Sequence, residues 1–299
     1  MSPDQNEPPR LPDLVEAFAH TATAIVDLAR ACTQDDLSRP TECPGWTVHD
    51  QISHVVGVEA WLAGHRDPRV EVPPYEHIRN NLGKKVEYAV EVRRGRTGAE
   101  VLAELEAVIS QRLSMLRSPE LTDTSIIAGP FGPDQAATVL LLRTFDVWTH
   151  EQDIRSALGR PGNLDSPAAM VCVRSIMLQL PKVVAKGAAL EPGHRVVMEV
   201  TGQPDGGVTV VVARQRVQGE LDQDGRPRGR AISAGEAILT GDSAETSEQA
   251  LGHQTTISLS VEAFTRRAAG RRSVSDTAYS VVGDEAIARR VLEALVVTH

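Results

Sequence analysis

The apolar residues of "LPDLVEAFAHTATAIVDLARA", residues 11–31, recur at spacings of three and four, which predicts an amphipathic helix of several turns. Pro40, Pro44 and Gly45 break the next stretch. Thr47 then stands as an N-cap ahead of a second helix, "VHDQISHVVGVEAWLAG", ending near Gly64. The proline-bearing "RDPRVEVPPYEH" leads into a long helix-favouring region, clearest at "GAEVLAELEAVISQRLSMLRS" and closed by Pro119, read as one third helix. "AGPFGPD" is a turn, and "QAATVLLLRTFDVWTHEQDIRSALG" is a fourth helix stopped by Gly159 with Pro161 beyond. Four helices joined in this way predict an antiparallel four-helix bundle.

Past Gly162 the pattern changes. "SPAAMVCVRSIMLQLPKVVAK" reads as one more helical segment, and "RVVMEVT" and "VTVVVAR" alternate as half-buried strands do. A helix around "SVEAFTRRAAG", a strand at "AYSVVG" and a terminal helix "DEAIARRVLEALVV" follow. The expected organisation is a helical bundle over 10–165, a connecting helix over 166–190 and a smaller α+β domain over 191–299.

Composition narrows the function classes. With 41% hydrophobic and 24% charged residues and no apolar run expected to be long enough to span a bilayer, the chain reads as a soluble globular protein without a membrane partner. The polar, proline-rich start carries no secretory pattern, so the cytoplasm is the expected location. A net charge of -9 argues against nucleic-acid binding, and the short basic clusters "RPRGR" and "RRAAGRR" read as solvated surface. Cys32, Cys43 and Cys172 are too scattered for a zinc motif or a disulfide framework and read as reduced thiols. Neither a nucleophile elbow nor a phosphate-binding glycine loop is present in the sequence.

The candidate chemistry lies in "DVWTHEQD". On a wheel turning about 100° per residue, Asp146, His150 and Asp153 fall within or beside the apolar sector of Val139, Val147, Ile154 and Ala157. Glu151 and Gln152 fall outside it and are expected on the outer face. A buried carboxylate needs a partner or a cation, and residues four apart on a helix can pinch one ion. On the second helix, His54 flanks the apolar face of Val48, Ile52, Val55 and Leu62, so it too can look inward.

Two imidazoles and one carboxylate would leave one position open, the arrangement of a catalytic rather than a structural zinc. Other pairings stay open: Asp146 with Arg143 or Arg155, and Asp153 orienting a ligand histidine or capping a neighbouring element. Glu59 lies about 140° round the helix from His54 and is expected beside the site as an ion-pair or supporting residue, not on the same ion. His20 and His65 lack partners at metal spacing and read as structural or exposed. Arg271 and Arg272 are further candidates for an anionic-ligand contact.

"TECPGWTVHDQISHVVGVE" and "TFDVWTHEQDIRSALGRP" resemble the two signature segments of the mycothiol-dependent maleylpyruvate isomerase family, and "AGRRS" with "YSVVGDEAIARRVLEAL" is similar, more loosely, to its C-terminal part. The resemblance implies a DinB-like bundle followed by a sterol-carrier-like α+β domain. It also implies a divalent metal, usually zinc, held by the positions of His54, Asp146 and His150, with mycothiol as co-substrate and an electrophilic small molecule as substrate. The family's isomerase has glutamate at the place of Asp146; the shorter side chain shifts the ion toward this helix or favours another metal. The implied chemistry is a metal-stabilised thiolate that adds to an electrophile, either leaving again after rotation about the former double bond (isomerase) or staying attached (S-transferase). The other class of reading is a non-catalytic metal- or small-ligand-binding or regulatory protein of the same fold.

Overall fold

The computed structural model of the chain describes residues 9–203, 209–232 and 254–297. The polar leader through Pro8 and Val208, the first residue of an expected strand, lie outside the described residues. The chain divides into two compact units, Met1–Val171 and Cys172–His299.

The first unit is helical. Helix α1 (Leu11–Arg30) starts with Pro12 and Asp13 in its first turn and ends with Arg30 in its last, in keeping with helix geometry and dipole. A single turn, α2 (Gln34–Leu37), follows, and then α3 (Val48–Leu62). Thr47 caps α3 in a reciprocal pair with Asp50: the Thr47 side chain accepts from the Asp50 N–H, and the Asp50 side chain accepts from the Thr47 N–H.

The long helix-favouring region expected as one helix divides into α4 (Asn81–Arg94) and α5 (Gly98–Leu116). Another reciprocal cap, Thr97 with Glu100, restarts the chain just after Gly95, a local stop that helix propensity summed over a long window smooths away. The two-residue strands β1 (Ile126–Ile127) and β2 (Asp134–Gln135) pin the expected turn between them. Helix α6 (Ala136–Leu158) closes at Gly159, which takes the left-handed conformation (φ 63°) that favours glycine.

Helix α6 packs on α1 and α3, and α5 packs on the same two helices. Phe18, Ile25, Ile52, Val56, Leu105, Ile109, Leu140, Val147 and Ile154 are among the residues buried in this core. Each fully buried side chain of this size contributes about 1.5–3 kcal/mol of hydrophobic stabilisation.

Here the wheel for α6 needs correcting: Glu151 is fully buried and Gln152 nearly so, not on an outer face. The reason is the returning chain after Gly159. Trp148 Nε1 donates to the Asn163 carbonyl, Gln152 Nε2 to the Gly162 carbonyl, and Asn163 Nδ2 to the Glu151 carboxylate. Glu151 also accepts from Thr21 Oγ1 on α1 at 2.6 Å and from Arg155 Nε at 2.7 Å. With α1, α3 and this segment around it, most of the circumference of α6 is covered, and its polar side chains are bonded inside.

Helix α7 (Pro167–Met177) runs across the boundary between the units, and α8 (Leu180–Lys182) and a π turn (Val183–Gly187) continue it. Contrary to the sequence expectation, the stretch Pro167–Ala185 has the length and mean hydropathy, 1.5, that would allow a membrane crossing. More than half of it is buried within the protein, which accounts for its apolar composition.

The second unit holds a mixed five-stranded sheet of β3 (Arg195–Gly202), β4 (Val210–Leu221), β5 (Pro227–Ile232), β6 (Gln254–Ser260) and β7 (Tyr279–Val282), in the order β5-β4-β3-β6-β7. The β3–β6 pair is parallel and the other pairs are antiparallel. Helix α9 (Val261–Ala268) packs on β3 and β6, and α10 (Glu285–Ala294) on β6 and the π turn. Strand β5, an edge strand among the described residues, runs through "RPRGR", where Arg228 is exposed and Arg230 pairs with Glu220.

"RRAAGRR" departs from the surface expectation, because Arg266 and Arg267 are buried. Arg267 donates to the carbonyls of Leu292 and Glu293, satisfying the open C-terminal end of α10, a tertiary partner no local pattern shows.

Candidate metal centre

Two helices and one loop build the site. Asp146 and His150 lie one turn apart on α6, and His54 faces them from α3. His54 Nε2 is 3.2 Å from Asp146 Oδ2, His150 Nε2 is 3.6 Å from Asp146 Oδ1, and the two imidazole centroids are 4.5 Å apart. One ligand atom from each of the three residues can be chosen so that all lie within 4.8 Å of one another, close enough to share one cation. Both histidines are buried, whereas the Asp146 side chain keeps 34% of its surface exposed, so the cluster has one wet flank.

The surroundings of His150 orient its ring. Its Nδ1 faces Gln51 Oε1, and Asp153 Oδ2 lies at 3.3 Å. Gln51 is oriented in turn because its amide nitrogen donates to Thr41 Oγ1 at 2.9 Å, which leaves its oxygen for the imidazole. Two acceptors on Nδ1 place the ring proton there and turn the Nε2 lone pair toward Asp146, the tautomer a metal ligand needs. His54 differs: its Nδ1 is buried without a hydrogen-bond partner among the described residues.

Trp46 walls the imidazole side, its ring 5.2 Å from that of His54 and 5.9 Å from that of His150. Its Nε1 donates to Glu87 at 2.9 Å, and Glu87 also pairs with His77 and Arg94. Gly45 beside it has φ 80°, and a Cβ there would come within 2.2 Å of His77 Nδ1, so this loop can press down only with glycine.

The charges of the three groups act on one another. Burial opposes ionisation of Asp146, but the Arg143 guanidinium, His150 and His54 hold its carboxyl well below the ordinary range. Burial works against a charged His150, yet Asp146 and Asp153 raise its pKa. His54 is pushed down by burial and by the charge of His150.

Among the open pairings of Asp146, Arg143 is the one present, with Nη1 at 2.9 Å from Oδ2, while Arg155 pairs with Glu151. Glu59 is fully buried between Arg143 and Arg112, both at 2.8 Å, so it stands one residue removed from Asp146. His20 and His65 are exposed, the latter bonded to Gln111. Arg271 donates to the Ala269 carbonyl and Arg272 to Glu262. Gln51 and Trp46 are the site residues that sequence reasoning missed. The signal was there for Gln51, which sits three residues before His54 and one before Ile52 on the inward side of α3.

Residues 18–155, which include every member of the cluster, match the family described as the mycothiol maleylpyruvate isomerase N-terminal domain. This match spans somewhat less than half of the chain. A crystal structure of the mycothiol-dependent maleylpyruvate isomerase is similar at 15% identity and a TM-score of 0.46, covering 90% of this chain and 92% of that one. A histidine-to-alanine mutant of the same enzyme gives 14% identity and a TM-score of 0.48 over the same shares. No curated protein matches the chain.

Proposed function

We propose that this protein is a divalent-metal-dependent enzyme of low-molecular-weight thiol chemistry, using mycothiol as an S-transferase or as a maleylpyruvate-isomerase-like catalyst. The observation that carries the proposal is the convergence of His54, Asp146 and His150 inside the segment that matches the family, with only Asp146 reaching solvent. The donor set of two imidazoles and one carboxylate fits a divalent cation, zinc above all. A cation bound there supplies a positive charge that keeps an external thiol in its thiolate form at neutral pH.

The residues of this chain have separate tasks. Asp153 and Gln51 keep the proton of His150 on Nδ1, so that Nε2 serves as the donor. Trp46 shields the imidazoles from water, and the exposed flank of Asp146 is where thiol and electrophile would enter. The same reading takes α1, α3, α5 and α6 as a DinB-like four-helix bundle and the second unit as a smaller sterol-carrier-like domain, in a cytoplasmic protein without nucleic-acid or membrane partners.

Cobalt-loaded protein titrated with mycothiol tests the proposal. A change in the visible cobalt spectrum is expected as the thiol enters the open position. A spectrum that mycothiol leaves unaltered overturns the thiol chemistry and favours a non-catalytic metal-binding protein.

A further inference from the structure

Four buried or half-buried charges run in a row of alternating sign from the core to the candidate metal centre. Arg112 on α5 pairs with Glu59 Oε2, Glu59 Oε1 pairs with Arg143 Nε, and Arg143 Nη1 reaches Asp146 Oδ2. The side chains of Glu59, Arg112 and Arg143 are 0%, 3% and 3% exposed. Nη2 of each arginine is buried without a hydrogen-bond partner among the described residues, so neither guanidinium is held here for its full set of bonds. A row that leaves donors unmet at this depth is a poor device for stability, since apolar residues of the same volume would serve as well or better. Its charged end lies on the one cluster member that solvent reaches.

We propose that Arg143 and Glu59 are positioning residues that set the charge and the denticity of Asp146 as a metal ligand. Oδ2 faces both Arg143 Nη1 at 2.9 Å and His54 Nε2 at 3.2 Å, which leaves Oδ1, facing His150 Nε2 at 3.6 Å, as the less occupied oxygen for a cation. The carboxylate is thereby limited to one oxygen, which keeps a position free for an incoming ligand. Glu59 offsets the positive charge that Arg143 brings close to the centre; without it that charge would oppose any cation there. The inference rests on the metal reading above.

The two residues therefore pull cation affinity in opposite directions, a pattern that general loosening of the core does not produce. The test measures cobalt affinity of the full chain by chelator competition, together with the cobalt visible spectrum. Glu59→Gln is expected to weaken binding on the order of tenfold, as outer residues of metal sites do. Arg143→Met, which leaves Glu59 paired with Arg112, is expected to tighten binding by about the same factor and to shift the spectrum toward higher coordination as Oδ2 becomes available.

Arg143→Lys keeps the charge without the planar fork. It is expected to change the spectrum while affinity stays near the parent value, and it gives the answer if Arg143→Met does not fold. Equal weakening in the glutamine and methionine variants, or unchanged affinity and spectrum in all three, overturns the inference. Failure of the parent protein to bind cobalt overturns the metal reading itself.

Discussion

Both units bury charge, but they satisfy it differently. Around α6, buried or half-buried charges meet other side chains: Glu59, Arg112, Arg143, Asp146, His150 and Asp153 form one connected set. In the second unit, buried Arg267 meets backbone carbonyls at the end of α10. A backbone carbonyl can neither titrate nor bind a cation in exchange for its partner without breaking the helix end. A carboxylate or imidazole can do both. The first arrangement is suited to chemistry and the second to holding a fold, although both appear in the sequence as charge in an apolar context.

The comparison breaks most readily at His150. Replacing it with alanine removes a ligand, and metal affinity should fall by more than the roughly 10–100-fold typical of outer residues, with the helical unit still folded by circular dichroism. Retained metal in this variant would mean that the cluster around α6 is structural, like the one around Arg267.

Arg267→Met tests the other side. It removes charged hydrogen bonds to Leu292 and Glu293 and should lower the unfolding free energy by about 3 kcal/mol in urea, without altering metal affinity. A change in metal affinity would show that the two regions are coupled.

Asp153→Asn should weaken metal binding by about tenfold with little loss of stability, because an amide can still face His150 but carries no charge. A loss of stability in urea without a change in affinity would move Asp153 to the structural class.

The smallest effect is in the pH profile. Asp146 and Asp153 raise the pKa of His150 above its ordinary 6.5. Its contribution to the stability of metal-free protein is therefore complete below pH 6.5 and is lost as the pH rises through the raised value. Asp146 acts oppositely: its lowered pKa contributes stability above pH 3.8 that disappears as the pH falls through the folded-state value. Because a cation must displace the His150 proton, metal affinity should rise across the same alkaline window in which the His150 contribution to metal-free stability declines. Urea unfolding and metal titrations between pH 5 and 9, with His150→Ala as reference, measure both slopes.

The features legible along the chain are local. Apolar spacing and caps locate α1, α3 and α6; Thr47 and Gly159 mark two of their ends; and the four-residue step from Asp146 to His150 places both on one face. Those features depend on φ, ψ and the turn of a single helix, which near neighbours along the chain control. Packing decides that Glu151 and Gln152 are buried, because the returning segment through Gly162 and Asn163 covers a side that a wheel takes for solvent. It also decides that Gln51 and Trp46 stand against the imidazoles, that Arg143 holds one oxygen of Asp146, and that Arg267 closes a helix end 25 residues away. Each of these is a contact between segments distant in sequence, set by how whole elements pack, and periodicity along one element carries no record of what lies across from it.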